Sequence, residues 1–473
     1  MQMMLLLPEL TLCLMALVFF FCALGPCKTD TLNNLASGLS VLCLAAAVAG
    51  FNQEGMLFFQ TYRVDLFSQL FKIILTLGLC LTIWSGPGLR GIEEQLRPEY
   101  YLFLAVATLG MTLLSSAHEL LTILLSLEIS AFALFAIIPF RHQTMRREHL
   151  EAAIKYFLFS AIATGLLLYG MSYVFGLGHS TLLGELAQTL PALMQNEPLA
   201  VVGMVMLLCG FFYKLALFPM HFLTPDVYEG SANETTSFIA TLPKIAVIAI
   251  IIRLVSLVGA EAVSLTWILA VFAVMSMTIG NLCALVQNDL KRLLAYSSIA
   301  HAGYVTIGVL SVNQIGFAAA IYYMLGYLLM NLACFFVIYQ LAAEGENLTF
   351  DHLHGLYRRA PLLACTLAAG AFGLTGIPPT IGFTGKFMVF TAALQRGHYT
   401  LVILAVINSA ISAFYYLKLV RAAYRPMAES GESVTLSWSA TSLGLFLLAS
   451  IILAGILPQG IIALAQEAVN SMG

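Results

Sequence analysis

The chain has 473 residues, 60% hydrophobic and only 10% charged, with a mean hydropathy of +0.92. Soluble domains run near 25% charged, so this composition excludes an ordinary soluble enzyme and reads as an integral membrane protein. The net charge of −3 leaves no basic face for nucleic acid. Nine cysteines form no CxxC pair and the histidines show no ligand spacing, so no iron–sulfur, zinc or haem site is expected in this chain.

The apolar N-terminal run lacks a basic leader region and reads as a first span, not a removed signal. Windows of about 19 residues give fourteen candidate helices. They lie at 4–25, 33–51, 66–85, 100–115, 118–139, 150–176, 199–222, 236–258, 263–285, 291–311, 315–342, 361–393, 399–422 and 436–458. A short tail follows Pro458. The odd-numbered loops carry Lys28, Arg90, Arg97, Arg141, Arg146, Arg147, Lys291, Arg292, Arg358, Arg359, Lys418, Arg421 and Arg425. The even-numbered loops carry only Arg63, Arg253 and Arg396. That asymmetry predicts odd loops in the cytoplasm and both termini in the periplasm.

Within the spans, Glu128 is the one acid deep in the fifth segment (SLEISAFALFA, 126–136). Lys72 stands near a helix start and reads as reaching the headgroups. Lys155, in EAAIKYFLFSA (151–161), lies toward one end of the sixth segment. It serves either a polar path or an ordinary i,i+4 pair with Glu151.

The stretch YKLALFPMHFLTPDVYEG (213–230) then sets a lysine against a proline. Pro219 cannot continue a helix, and a break inside a bilayer is tolerated only where protein or a wet cavity satisfies the freed groups. Lys214, five residues earlier, follows about fourteen apolar residues; a mid-span lysine costs about 2.5–3.5 kcal/mol, which marks it as functional. The competing reading is a lysine that snorkels. His221 sits beside the break, and Lys244, in LPKIAVIAII (242–251), falls about eight residues into the eighth segment.

DLKRLLAYSSIAHAGY (289–304) places His301 near mid-span, with Tyr296, Ser297 and Ser298 one turn earlier. A histidine there is either a hydrogen-bonded core residue or a proton relay. In GIPPTIGFTGKF (376–387), Pro378 and Pro379 interrupt the twelfth segment beside Lys386. Two broken segments five apart run in opposite directions, the sequence pointer to an inverted-repeat transport fold. The expected fold is therefore an all-α polytopic membrane protein of about fourteen transmembrane helices, with helices 7 and 12 broken. The expected divisions are 1–99 for three N-terminal helices, 100–258 and 263–425 for two five-helix repeats, and 436–473 for the last helix and tail. Both ammonium groups should lie on the periplasmic side of their breaks. The carboxylate and lysines form a polar file, unless each merely ties two helices together.

These motifs resemble the antiporter-like proton-channel subunits of respiratory complex I, over nearly the whole chain to about residue 425. Within that family the likeness is to the subunit N branch. A long lateral-helix extension typical of subunit L is absent, and Lys386 stands where subunit M typically has glutamate. The resemblance implies a proton-translocating subunit of an NADH:quinone oxidoreductase in a bacterial inner membrane. It implies that Glu128 pairs with Lys214, that Lys244 is the central lysine, and that His301 and Lys386 lead toward the exit. His221 and Lys155 match family positions as well. Quinone, FMN and iron–sulfur clusters would belong to partner subunits, among them a sister subunit M and small membrane subunits such as K and J. After Tyr228 the chain departs from the family's Gly-Ala-Pro pattern, reading Gly230-Ser231-Ala232-Asn233-Glu234. A subunit of a multi-subunit sodium/proton antiporter is the alternative, and a membrane scaffold is a third reading.

Overall fold

The computed structural model describes residues 2–25, 27–86, 88–141, 146–259, 262–426 and 435–472. Among them, twelve helices are long and apolar enough to cross a membrane, and Leu7–Ala23 and Pro361–Thr375 are shorter apolar helices. Arg146 and Arg147, counted above among the loop cations, lie outside the described side chains.

We number the principal helices in chain order. They are α1 Leu7–Ala23, α2 Thr29–Ala49, α3 Leu66–Ser85, α4 Arg97–Ser116, α5 Leu120–Ile137 and α6 Arg146–Gly178. Then come α7 Leu183–Asn196, α8 Pro198–Leu215, α9 Thr224–Gly230, α10 Asn233–Val258, α11 Val263–Leu285 and α12 Leu290–Leu310. The rest are α13 Gln314–Leu341, α14 Pro361–Thr375, α15 Ile381–Gln395, α16 Tyr399–Tyr424, α17 Trp438–Ile456 and α18 Gln459–Asn470.

Helices apolar all round are the ones a bundle can bury completely. The best apolar window of α10 is 100% buried and those of α12 and α13 are 94% buried, so these three form the axis. The matching windows of α2, α6 and α17 are about one-third buried, which assigns them to the rim. Phe157 of α6 and Trp438 of α17 are exposed, as are Phe132 of α5 and Phe414 of α16, in the manner of lipid-facing side chains.

Both expected breaks are present. Ala216 takes a left-handed conformation at φ +62° and ends α8 well short of the expected 222. Gly376, at φ +89°, ends α14 in the same way. The peptide bonds Phe218–Pro219 and Pro378–Pro379 are both cis. The two halves also repeat each other at one register. The α4–α5 contact has Gly110 against the backbone of Ser126 and Ser130, and the α11–α12 contact has Gly280 against Tyr296 and Ala300. A Cβ on either glycine would stand 2.6–2.8 Å from that backbone, so only glycine fits. Glu119 caps α5 by accepting from Thr122 N, and Asp289 caps α12 by accepting from Arg292 N. Every pair is offset by 170 residues: 110 to 280, 119 to 289, 126 to 296 and 130 to 300.

Several expectations need correction. Lys72 does not reach the headgroups: it is 1% exposed, 2.9 Å from Glu9 and 3.0 Å from the Tyr62 hydroxyl. A lysine stem can snorkel only along a free surface, and here a carboxylate sits within reach inside the protein. Arg253 does not serve as a loop cation: it lies within α10, whose end at Val258 is the one expected, and is buried against Asp65 at 2.7 Å. Lys291 is also fully buried, donating to Ser231 O at 2.7 Å. The chain is not purely helical, since Gly55–Leu57 and Tyr62–Val64 form a small hairpin with Gly55 opposite Val64. The tail after Pro458 is the helix α18, whose C-terminal carbonyls at Ser471 and Met472 accept from Arg63.

Candidate functional site

The breaks create exposed backbone in the interior. The last four carbonyls of a helix have no intrahelical partner and carry partial negative charge, so a buried helix end calls for donors and favours cations. At the first break, Lys244 Nζ donates to Leu215 O at 2.9 Å. At the second, Lys386 Nζ donates to Leu374 O at 3.0 Å, Thr375 O at 2.9 Å and Ser409 Oγ at 3.1 Å. Each lysine therefore caps the half-helix that precedes the break, one from α10 and one from α15.

Lys214 occupies the last turn of α8, yet its ammonium turns away from that helix end. It donates to the Tyr156 hydroxyl at 2.9 Å and lies over the rings of Tyr156, Tyr213 and Phe135 at 4.9, 5.7 and 5.8 Å. Aromatic faces carry negative charge and hold a cation without a counter-ion. The expected Glu128–Lys214 ion pair is not a contact in this structure. Glu128 accepts instead from Thr164 Oγ1 at 2.6 Å, with Tyr156 standing beside the lysine. Both partners of those bonds belong to α6, which thus intervenes between α5 and α8.

Lys214 and Lys244 line one small cavity of about 30 Å³ together with Tyr156, Tyr213, Thr224 and Tyr228. Such a volume holds about two waters, and its polar lining supplies their partners. From this cavity the Tyr228 hydroxyl donates to Ser298 Oγ at 3.4 Å, crossing from α9 to α12. One turn along α12, His301 is hydrogen-bonded at both nitrogens, Nδ1 to Tyr323 OH at 2.5 Å and Nε2 to Tyr416 OH at 3.1 Å. A neutral imidazole donates from one nitrogen and accepts at the other, so this ring links two hydroxyls with opposite roles. Tyr416 OH also bonds Ser297 Oγ. Beyond the ring, Lys386 Nζ lies 4.6 Å over the Tyr304 ring, which is itself 5.8 Å from His301. Lys214 and Lys244 thus share one cavity, while His301 and Lys386 both stand against the Tyr304 ring. The Tyr228–Ser298 bond reaches α12 three residues before His301.

Two of the candidate residues stand apart. Lys155 pairs with both Glu151 and Asp226 at 2.7 Å, and its side chain is 37% exposed. Asp226 and Glu229 in turn hold Arg292 at 3.3 and 2.5 Å, making a charged cluster on the outer side of α9. The inner side of that short helix, through Thr224, Val227 and Tyr228, lines the lysine cavity. His221 is buried between Phe218 and Phe222, with ring centroids 5.7 and 4.4 Å away, and bonds to none of the lysines.

Ser298 was marked by its place one turn before His301, but the hydroxyls of Tyr156, Tyr228, Tyr323, Tyr416 and Thr164 were not singled out by the sequence. For Tyr323 and Tyr416 the signal was paired tyrosines in the middle of apolar helices, in AIYYMLGY (320–327) and AFYYL (413–417), away from the helix ends where membrane tyrosines collect.

Known proteins share this architecture. The transmembrane family described as NADH:quinone oxidoreductase/Mrp antiporter matches residues 117–412. The chain is 45% identical to NADH-quinone oxidoreductase subunit N 2 of Opitutus terrae over 455 residues, covering 96% of this chain and 95% of that protein. It superposes on a chain of respiratory complex I from Thermus thermophilus with a TM-score of 0.83 at 32% identity, covering 97% and 99% of the two chains. A chain of the Mrp complex from Dietzia gives a TM-score of 0.88 at 19% identity over 100% and 98%, a likeness of fold alone.

Proposed function

This chain belongs to the NADH-quinone oxidoreductase subunit N family, and from that premise we propose that its buried lysine file carries protons across the membrane in a respiratory NADH:quinone oxidoreductase. The observation that carries the reading is the shared cavity of Lys214 and Lys244, whose lining Tyr228 bonds Ser298 one turn before His301. Charged groups are retained in a bilayer interior at a cost, and a connected set of them marks a proton relay.

In this reading Glu128, Lys214, Lys244, His301 and Lys386 each hold or pass the proton. Lys155 and His221 serve at the margins. A dry surrounding favours a neutral amine, while a nearby carboxylate favours an ammonium. Glu128, held by Thr164 of the same helix that carries Tyr156, is the carboxylate that acts on Lys214 in this reading. A change in charge at Glu128 would then move the proton between Lys214 and its neighbours. Each proton moved against 100 mV costs about 2.3 kcal/mol, so the energy comes from quinone reduction in partner subunits. Quinone, FMN and iron–sulfur clusters reside in those partners. A sister subunit M and the small subunits K and J are its membrane neighbours. Residues 100–258 and 263–425 form inverted repeats, with both termini in the periplasm of a bacterial inner membrane. The shared register of the two halves supports this division.

Lys214→Ala or Glu128→Ala should depress coupled proton pumping of the assembled complex by about tenfold or more, the scale of a positioned proton carrier. The readout is acidification of inverted vesicles driven by NADH. Unchanged pumping in both variants overturns the proposal. Sodium-dependent proton exchange without any quinone reductase would favour the antiporter alternative instead.

A further inference from the structure

Away from the lysine file, a cavity of about 620 Å³ opens at the end of α16 and is lined by Phe350, Asp351, Lys418, Arg421 and Arg425. Lys418 and Arg421 stand on one stripe of the helix, and Arg425 follows directly after its last residue. None forms an ion pair among the described residues; Lys418 instead lies 4.3 Å over the Phe350 ring. The acid at the rim, Asp351, has a side chain 89% exposed and turned to His354.

Going back down the helix, the same stripe continues through Phe414 and Ile407, which are 65% and 51% exposed. Three unpaired cations thus stand directly above an exposed apolar track, at the end of a membrane-length helix. Free phosphate would use the cations and leave the track bare. A phospholipid uses both, and basic pockets between membrane helices recognise anionic headgroups.

We propose that this cavity binds the headgroup phosphate of an anionic phospholipid, with Lys418, Arg421 and Arg425 around the phosphate and the acyl chains along Phe414 and Ile407. The rival explanation is that these cations only offset the carbonyls at the helix end and follow the general charge bias of loops.

The test is native mass spectrometry of the full-length chain in detergent, titrated with phosphatidylglycerol, phosphatidylcholine or inorganic phosphate. One phosphatidylglycerol should be retained, and phosphatidylcholine and phosphate should not displace it. The triple variant Lys418→Gln/Arg421→Gln/Arg425→Gln should bind it on the order of 100-fold more weakly, about fivefold per cation. A variant carrying Lys28→Gln and Arg90→Gln, at loops elsewhere, should bind like the parent. Equal weakening in both variants, undiminished retention in the triple variant, or displacement by phosphate alone overturns the proposal. Size-exclusion profiles of all variants separate loss of the site from loss of the fold.

Discussion

A single hydroxyl decides how Lys214 is held. Among the described residues its hydrogen bond goes to Tyr156, on the helix whose Thr164 bonds Glu128. Hydrogen bonds to charged groups are worth about 1.5–3 kcal/mol, against about 0.5–1 kcal/mol for an exposed cation–π contact. Tyr156→Phe keeps the ring under the ammonium and removes only the hydroxyl. We expect it to slow pumping about tenfold while the complex assembles and NADH oxidation by soluble acceptors is unchanged. Pumping at the parental rate in this variant would reduce Tyr156 to packing. The same scale shows what the sequence could reveal. Lys214, Lys244 and Lys386 were legible because a lysine in an apolar run is costly wherever it points. Tyr156 was not, since tyrosine is tolerated in membrane helices and its partner comes from a different helix. Lys72 and Arg253 were misread for that reason too: their acids, Glu9 and Asp65, are 63 and 188 residues away in sequence.

Among the elements, the broken helices were legible to within a few residues. Proline reports its own effect through a missing N–H and a ring clash, needing no knowledge of neighbours. How α14 and α15 then pack was not legible. Gly382 opens α15, and a Cβ there would stand 1.9 Å from Gly373 O of α14. That contact is with backbone, so no rotamer change relieves it. Gly382→Ala must therefore push the two half-helices apart, moving the Leu374 and Thr375 carbonyls away from Lys386. Overpacking of this type costs about 1–3 kcal/mol. A lowered melting temperature of the purified complex and weakened pumping are expected. Gly165→Ala is the matched control, in open space within α6, and should be neutral or slightly stabilising. Equal melting temperatures for the two variants would show that the break yields easily. The hairpin at 55–64 and the helix α18 escaped the sequence reading because both are short, and a helical period over 12 residues beside a membrane span looks like tail.

At the scale of the whole molecule, the two halves are tied by strong contacts, such as Lys291 to Ser231 O and Tyr327 OH to Ala240 O, and by one weak bond beside the lysine cavity. The register that sends Gly110 to Gly280 and Ser126 to Tyr296 sends Glu128 to Ser298, so a serine stands where the first half has its carboxylate. That serine accepts from Tyr228 at 3.4 Å, near the limit for a hydrogen bond. A neutral bond of this length contributes less than about 1 kcal/mol, so it can open and close without unfolding anything. In the proposed relay the carboxylate belongs to one half, and Ser298 is the link between halves. Ser298→Ala and Tyr228→Phe should then each cut pumping severalfold, and the double variant should be no worse than either alone. Two groups acting as one link lose their function together, which is the non-additivity a double-mutant cycle detects. Independent, additive losses would mean that protons cross between the halves by another route.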